Sequence, residues 1–312
     1  MREEVCLVLG GNGFIGSHVV DKLAATGQVR VRVLDLFARP AQFAASPMVE
    51  EVQGDAFDPG DLTKALSGVD WVVVTLPAAG PFAADADPYA DIDNLRRTIE
   101  VLECCAVAGA RKLAFISSSG AVYGLLAEHR AMSEADAPQP LSPYGICKLA
   151  TEHYLEFFRR KYGQSYVVYR LSNPYGPRQP VRRGQGVVAA FVRSYLNDEG
   201  IAIQGDGTAS RDYIYVEDAA AMIAMTLRRE HRHAVYNIGS GEQTSLNDIV
   251  ALLERLLDRK VRATYSDAPR SVLQRTSITV QRFHDEFGEP AITGFAEGLR
   301  KTIESFVHWG HR

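Results

Sequence analysis

The stretch Val5-Cys6-Leu7-Val8-Leu9-Gly10-Gly11-Asn12-Gly13-Phe14-Ile15-Gly16 reads as a buried strand running into a glycine turn. Five apolar residues in succession fit a strand covered on both faces. A helical pattern follows over 17–25 and is closed by Gly27. A second strand pattern, over 29–36, carries Asp35 near its end, about 20 residues beyond Gly16. Strand, glycine turn, helix and distal acid together form the context of a dinucleotide fingerprint. Glycines let the backbone approach a pyrophosphate, and the helix start offers free N–H groups and a positive dipole end. The turn nominates Gly10, Gly13, Phe14, Ile15 and Gly16 as cofactor contacts. Asp35 can accept hydrogen bonds from both adenosine ribose hydroxyls and would repel a 2′-phosphate, which favours NAD over NADP. Arg39 lies near enough in sequence to weaken that preference.

Composition narrows the classes. Hydrophobic residues make up 46% of 312, and the formal net charge is −4. That suits an ordinary globular core and gives no reason to expect nucleic acid or a membrane surface as partner. No apolar run reaches membrane-span length, and the one from Val5 is too short for a signal peptide. The four cysteines, Cys6, Cys104, Cys105 and Cys147, match no zinc spacing and read as reduced thiols of a cytoplasmic protein. The histidines form no ligand array, so no metal is assigned; His231 and His233 flank Arg232 in what reads as a surface connection.

Further strand patterns end at Val52 and span 71–76, 112–118 and 165–171. Helical patterns cover 61–67 with Asp61 as N-cap, and 89–108 with Ile92, Leu95, Ile99 and Leu102 on an apolar stripe. The alternation defines an α/β fold, a doubly wound parallel (Rossmann) sheet. Leu76 falls at the carboxyl end of its strand, where open α/β sheets bind ligands. Tyr144-Gly145-Ile146-Cys147-Lys148 places a tyrosine and a lysine on one helix face, a turn apart. An ammonium beside a phenol favours the phenolate, and such a tyrosine can exchange a proton with an alcohol or ketone.

The spacing Gly10, Gly13, Gly16 combined with Tyr144 and Lys148 resembles the extended short-chain dehydrogenase/reductase superfamily, in its nucleotide-sugar epimerase/dehydratase branch typified by UDP-glucose 4-epimerase. The resemblance covers nearly the whole chain and is looser in the last third. It implies that Asp55 contacts the adenine, that Asn94 helps hold the cofactor, and that Lys148 holds the nicotinamide ribose. It implies that Ser119 lies within hydrogen-bond reach of Tyr144 and of the reacting hydroxyl. Asn173, in Asn173-Pro174-Tyr175-Gly176-Pro177, becomes a contact to the sugar nucleotide. Arg211 and Arg270 become diphosphate contacts, as paired guanidinium donors suit phosphate oxygens. The resemblance also implies a homodimer through the helices that carry Asn94 and Tyr144. The loop from Pro77 to Pro81 departs from the commonest family pattern.

Dehydratases of this branch carry an Asp-Glu pair directly after the Ser/Thr, because eliminating water needs an acid and a base. Here those positions are Gly120 and Ala121. The remaining groups suit oxidation and re-reduction of an alcohol. The expected activity is NAD-dependent epimerisation of a nucleotide sugar, foremost a UDP-hexose at C4, with Ser119, Tyr144 and Lys148 as catalytic residues. The alternatives are an NAD(P)-dependent reductase of a keto sugar or related carbonyl, and a non-catalytic NAD(H)-binding regulator. The expected division is 1–171 plus 212–232 for the nucleotide part, and 172–211 plus 233–312 for a smaller substrate part.

Overall fold

Seven parallel strands form the centre of the computed structural model: β1 (Val5–Leu9), β2 (Arg30–Asp35), β3 (Val49–Gln53), β4 (Trp71–Val74), β5 (Lys112–Ser118), β6 (Ser165–Leu171) and β10 (Val235–Ile238). Their order is β10-β6-β5-β4-β1-β2-β3. The structure describes residues 3–76, 87, 89–124, 130–181, 186–267 and 275–309. The Pro77 to Pro81 loop, Arg182, Arg183 and Arg270 lie outside the described residues.

Alternation along β1 explains why the sheet is covered on both sides. Cys6 and Val8 enter one core, and Leu7 and Leu9 enter the other. The first core is closed by α1 (Phe14–Ala25), through Val19, Val20 and Leu23, and by α7 (Val216–Thr226), through Ala219, Met222 and Ile223. The second is closed by α2 (Pro59–Leu66), α3 (Ala90–Val107) and α5 (Pro143–Tyr162), through Leu62, Leu102, Leu155 and Phe158. The strand order turns back between β1 and β4, so their carboxyl ends flank the switch point where such sheets take ligands.

A smaller sheet forms from β7 (Asn173–Tyr175), β9 (Ser210–Tyr215), β11 (Gln243–Ser245) and β13 (Arg275–Thr276), with β9 pairing all three others. Beside it, β8 (Ile201–Gln204) pairs β12 (Ala263–Ser266). Helices α6 (Val187–Leu196), α8 (Leu246–Leu257) and α10 (Phe295–Trp309) bury Val192, Leu253 and Leu299 in a third apolar core. Ser245 caps α8 in a reciprocal capping box with Asp248, as its position before the amphipathic run predicts.

Several boundaries differ from the sequence expectation. Residues 235–238 belong to the large sheet, not the smaller part: β10 pairs β6 and buries Tyr236 and Ile238 completely. Helix α9 (Gln281–Phe287) covers it, with Phe283 buried in the first core. The cap of α2 is Asp58, whose carboxylate accepts from the N–H groups of Gly60 and Asp61, with Pro59 in the first turn. Proline needs no N–H partner there, and that fixes the helix start ahead of Asp61. Asp61 instead accepts from the Asp55 N–H at 3.1 Å. The stripe of α3 begins later than expected, for Ile92 is 56% exposed while Val101, Leu102 and Cys105 are buried. His231 is no plain surface residue: its Nδ1 lies 2.8 Å from the Lys112 ammonium.

Candidate active site

The glycine turn has the geometry of a phosphate cradle. Gly10 takes a positive φ of 74°. A Cβ on Gly16 would collide with the Gly10 carbonyl oxygen and the Thr75 hydroxyl. Helix α1 then starts at Phe14, and its N-cap, Gly13, offers no side chain to cap it. Its first-turn N–H groups, those of Phe14 and Ile15 included, are therefore not claimed by a side-chain cap, and a helix start of this kind suits a pyrophosphate. Asp35, the last residue of β2, accepts from the Asn12 N–H at 3.0 Å. Arg39 donates to the Asn12 carbonyl at 3.1 Å, so it is tethered to the turn itself. These residues fit a dinucleotide.

At the end of β3, Asp55 accepts from the Phe57 N–H at 2.9 Å and lies 3.7 Å from the Arg97 guanidinium. Arg97 stacks over the Phe57 ring, 4.1 Å from its centroid. The carboxylate for which the resemblance implies an adenine contact thus also caps a turn and pairs a cation.

A cleft between α3, α5 and the ends of β4 and β5 brings together Leu76, Asn94, Tyr144 and Lys148. The sequence placed all four at the cofactor. Local reasons put them there. Ser142 caps α5 by accepting from the Gly145 N–H, and Pro143 occupies the first turn, which starts the helix one residue before Tyr144. A Cβ on Gly145 would strike the Ala121 carbonyl, so this glycine lets α5 pack against α4 (Ser119–Tyr123). Lys148 then follows Tyr144 by one turn and donates to the Ile116 carbonyl at 3.0 Å.

The residues of the pair are half-buried, but their polar ends are enclosed. Burial pushes the Tyr144 phenol up to about 12, a shift that a hydrogen bond with Ser118 opposes and the charge of Asp91 reinforces. Burial brings the Lys148 ammonium down to about 8, opposed by the charges of Glu152 and Asp91. The Lys148 Nζ sits 5.9 Å from the Tyr144 ring centroid. In the ligand-free chain desolvation is the largest effect on this phenol, and it opposes the lysine-acidified phenolate expected from the sequence.

Ser118, the last residue of β5, supplies the hydroxyl that opposes the upward shift of the Tyr144 phenol. Ser119, the expected partner, is 2% exposed and donates to the Leu171 carbonyl at 3.3 Å. Beneath the pair, Ser117 donates to Glu152 at 2.6 Å, and Arg170 forms a buried ion pair with Glu152 at 2.6 Å. The Arg170 guanidinium also lies over the Tyr123 ring at 4.8 Å.

Asn173 and Arg211 lie on the paired strands β7 and β9 of the smaller sheet. Asn173 donates its amide to the Asp212 carbonyl at 2.8 Å, and Arg211 donates to the Ser210 carbonyl at 2.8 Å. Burial lowers the Arg211 guanidinium from its ordinary value. Sequence reasoning missed Ser118 and Asp91. The first was hidden within a run of three serines; the second, an acid ahead of an apolar stripe, looked like an ordinary helix-start residue.

A doubly wound sheet with a glycine cradle at its switch point, and a Tyr-Lys pair beyond β5, defines an extended short-chain dehydrogenase/reductase. Within that class the chain belongs to the NAD dependent epimerase/dehydratase family, whose model matches residues 6–239. It is 32% identical over 306 residues to a putative UDP-glucose 4-epimerase of Methanocaldococcus jannaschii, with 97% of each chain covered. The structure resembles the UDP-glucose 4-epimerase of Thermotoga maritima solved with UDP-glucose, with a TM-score of 0.89 and 32% identity over 98% of this chain and 99% of that one. It also resembles the Thermus thermophilus UDP-glucose 4-epimerase solved with NAD, with a TM-score of 0.88 and 31% identity over 97% and 99% of the two chains.

Proposed function

We propose that this protein is an NAD-dependent 4-epimerase of a UDP-hexose. The observation that carries the proposal is a cleft shared by Leu76, Asn94, Tyr144 and Lys148. Gly120 and Ala121 argue against a dehydratase. Space is open at Gly120, where an added Cβ would meet no atom within 4 Å, so packing does not account for the missing acid.

In this reading Tyr144 takes the proton of the sugar C4 hydroxyl and later returns it to the ketone oxygen. Ser119 hydrogen-bonds the same sugar oxygen, exchanging its bond to the Leu171 carbonyl for one to the substrate, and the Ser118 hydroxyl beside it eases the burial of the phenol. Lys148, fixed to the Ile116 carbonyl, presents its remaining donors to the cofactor ribose. Gly10, Gly13, Phe14, Ile15 and Gly16 hold the pyrophosphate, Asp35 the adenosine ribose and Asp55 the adenine edge. When bound, NAD supplies the two-electron chemistry, accepting hydride from C4 and giving it back to the opposite face. Arg211, Asn173 and Arg270 contact the UDP portion. The two units divide the work between cofactor and sugar nucleotide.

The protein is read as a cytoplasmic homodimer. Ile92 on α3, and Ile146, Tyr154 and Phe157 on α5, expose apolar surface on the two helices that would form the contact. Among the described residues no helix is long and apolar enough to cross a membrane. The test is incubation with a panel of UDP-sugars without added reductant. A C4 epimer formed with no net change in NADH supports the proposal; one NADH consumed per turnover identifies a reductase, and no product with any UDP-sugar refutes the proposal.

A further inference from the structure

Asp212 follows Arg211 on β9 and is 2% exposed. Its carboxylate accepts from the Ser240 N–H at 3.0 Å, the Ser240 hydroxyl at 3.2 Å and the Gly241 N–H at 2.8 Å. Ser240 and Gly241 belong to the turn that leaves β10, the outer strand of the large sheet, and enters β11 of the smaller one. The Asp212 main-chain carbonyl takes the Asn173 amide. Ser172, the residue before Asn173, donates its N–H to the Ile238 carbonyl at 2.8 Å, and Leu171 before that accepts from Ser119. The carboxylate therefore ties the strand that carries Arg211 to the end of β10, where the chain runs on by hydrogen bonds to Ser119. A carboxylate is costly to bury, and three donors converging on it make its place specific.

We propose that Asp212 is a positioning residue that fixes the smaller sheet against the carboxyl edge of the large one and so aligns the sugar with the nicotinamide ring. The proposal rests on the reading under which the smaller sheet holds the UDP portion. Arg211 and Asn173 keep their mutual placement without this carboxylate, since β7 and β9 pair through their backbones, with Asn173 opposite Tyr213. The UDP contacts stay together if the carboxylate is lost, and the large sheet keeps its own register. What changes is the placement of one unit on the other. A misplacement of about 1 Å can cost about 100-fold in rate, even from a change far from the chemistry. Asp212 thus acts on turnover and not on affinity. Gly239 meets the carboxylate from the other side: a Cβ there would lie 3.0 Å from both carboxylate oxygens and 2.7 Å from the Ile278 Cδ1, so a side chain at 239 displaces Asp212.

The test compares the wild type with Asp212→Asn and Gly239→Ala. The first variant sets an amide donor against the donors of the turn; the second keeps the charge and moves it. Turnover is measured with the UDP-hexose that the wild type converts fastest, well below the unfolding temperature and per site loaded with NAD. Calorimetry gives the dissociation constants of UDP and of NAD. In each variant kcat is expected to fall about 10- to 100-fold while both constants stay within about twofold of the wild type. A purely structural role would lower the unfolding temperature and leave kcat per folded site unchanged, so kcat within about threefold of the wild type in a folded variant overturns the proposal. A UDP dissociation constant that rises as far as kcat falls overturns it as well, because Asp212 would then govern affinity. Gly239→Ala decides alone if Asp212→Asn does not fold. A wild type that binds no UDP instead refutes the reading on which the proposal rests.

Discussion

Ser118 and Ser119 face different neighbours: the Ser118 hydroxyl opposes the upward shift of the Tyr144 phenol, and Ser119 donates to the Leu171 carbonyl at 3.3 Å. The chain passes from β5 into α4 between these two residues, so adjacent hydroxyls serve different neighbours. Ser118→Ala is therefore expected to lower kcat about 10- to 100-fold with little change in KM, as loss of a group acting at the reacting centre. Ser119→Ala is expected to lower kcat by a similar factor and, through its bond to the Leu171 carbonyl, to cost about 1 kcal/mol in urea denaturation as well. Steady-state epimerisation assays and unfolding curves on the two variants separate the roles.

Tyr144→Phe removes the proton carrier and leaves the ring in place. The expected loss of turnover is about 10²- to 10⁴-fold. NAD binding, measured by calorimetry, is expected to stay close to that of the parent protein. An activity loss of less than tenfold would remove Tyr144 from the mechanism.

Lys148 links folding to pH. Its ammonium falls from 10.5 to about 8 on folding. Between those values the unfolded chain holds the proton and the folded one releases it, so stability contributed at this site rises with pH. Below pH 8 both states are protonated and the burial cost is carried in full. Chemical denaturation of the ligand-free protein should show the wild type gaining stability relative to Lys148→Met between about pH 8 and 10. A difference that is flat or falls over that window contradicts the assignment.

Glu152 holds Arg170 and Ser117 within the sheet–helix interface. Removing one partner of a buried pair leaves an uncompensated charge, so Glu152→Gln is expected to destabilise the fold by about 3–5 kcal/mol. Replacing both residues, with Arg170→Met added, should recover part of that loss. Urea unfolding of the single and double variants gives the comparison.

Much of the molecule is readable from short-range pattern. The run from Val5 to Gly16 fixes a strand, a turn and a helix start because glycine conformation and apolar burial are local constraints. The Tyr144 and Lys148 pair is legible for the same reason, helical spacing being a property of a single turn. What escapes is set by distant contacts. Which of three serines meets Tyr144 depends on where β5 ends and on the approach of α5. The charge state of Tyr144 depends on enclosure, which residue spacing does not report. Asp58 was readable in principle, since Pro59 marks the helix start, but Asp61 offered a competing cap. The membership of Val235–Ile238 in the large sheet depends on pairing with β6, far back in the chain.

That last pairing has a consequence for biosynthesis. A nascent chain that has made Ser165–Leu171 but not yet Val235–Ile238 carries an apolar strand with one backbone edge uncovered. Between the two lie α6, β9 and α7, so the outer border of the nucleotide layer is sealed only after much of the smaller unit has been translated. The units cannot be produced as separate polypeptides by a single cut after residue 171. A fragment ending there would expose the border of β6 to other chains and be prone to aggregate.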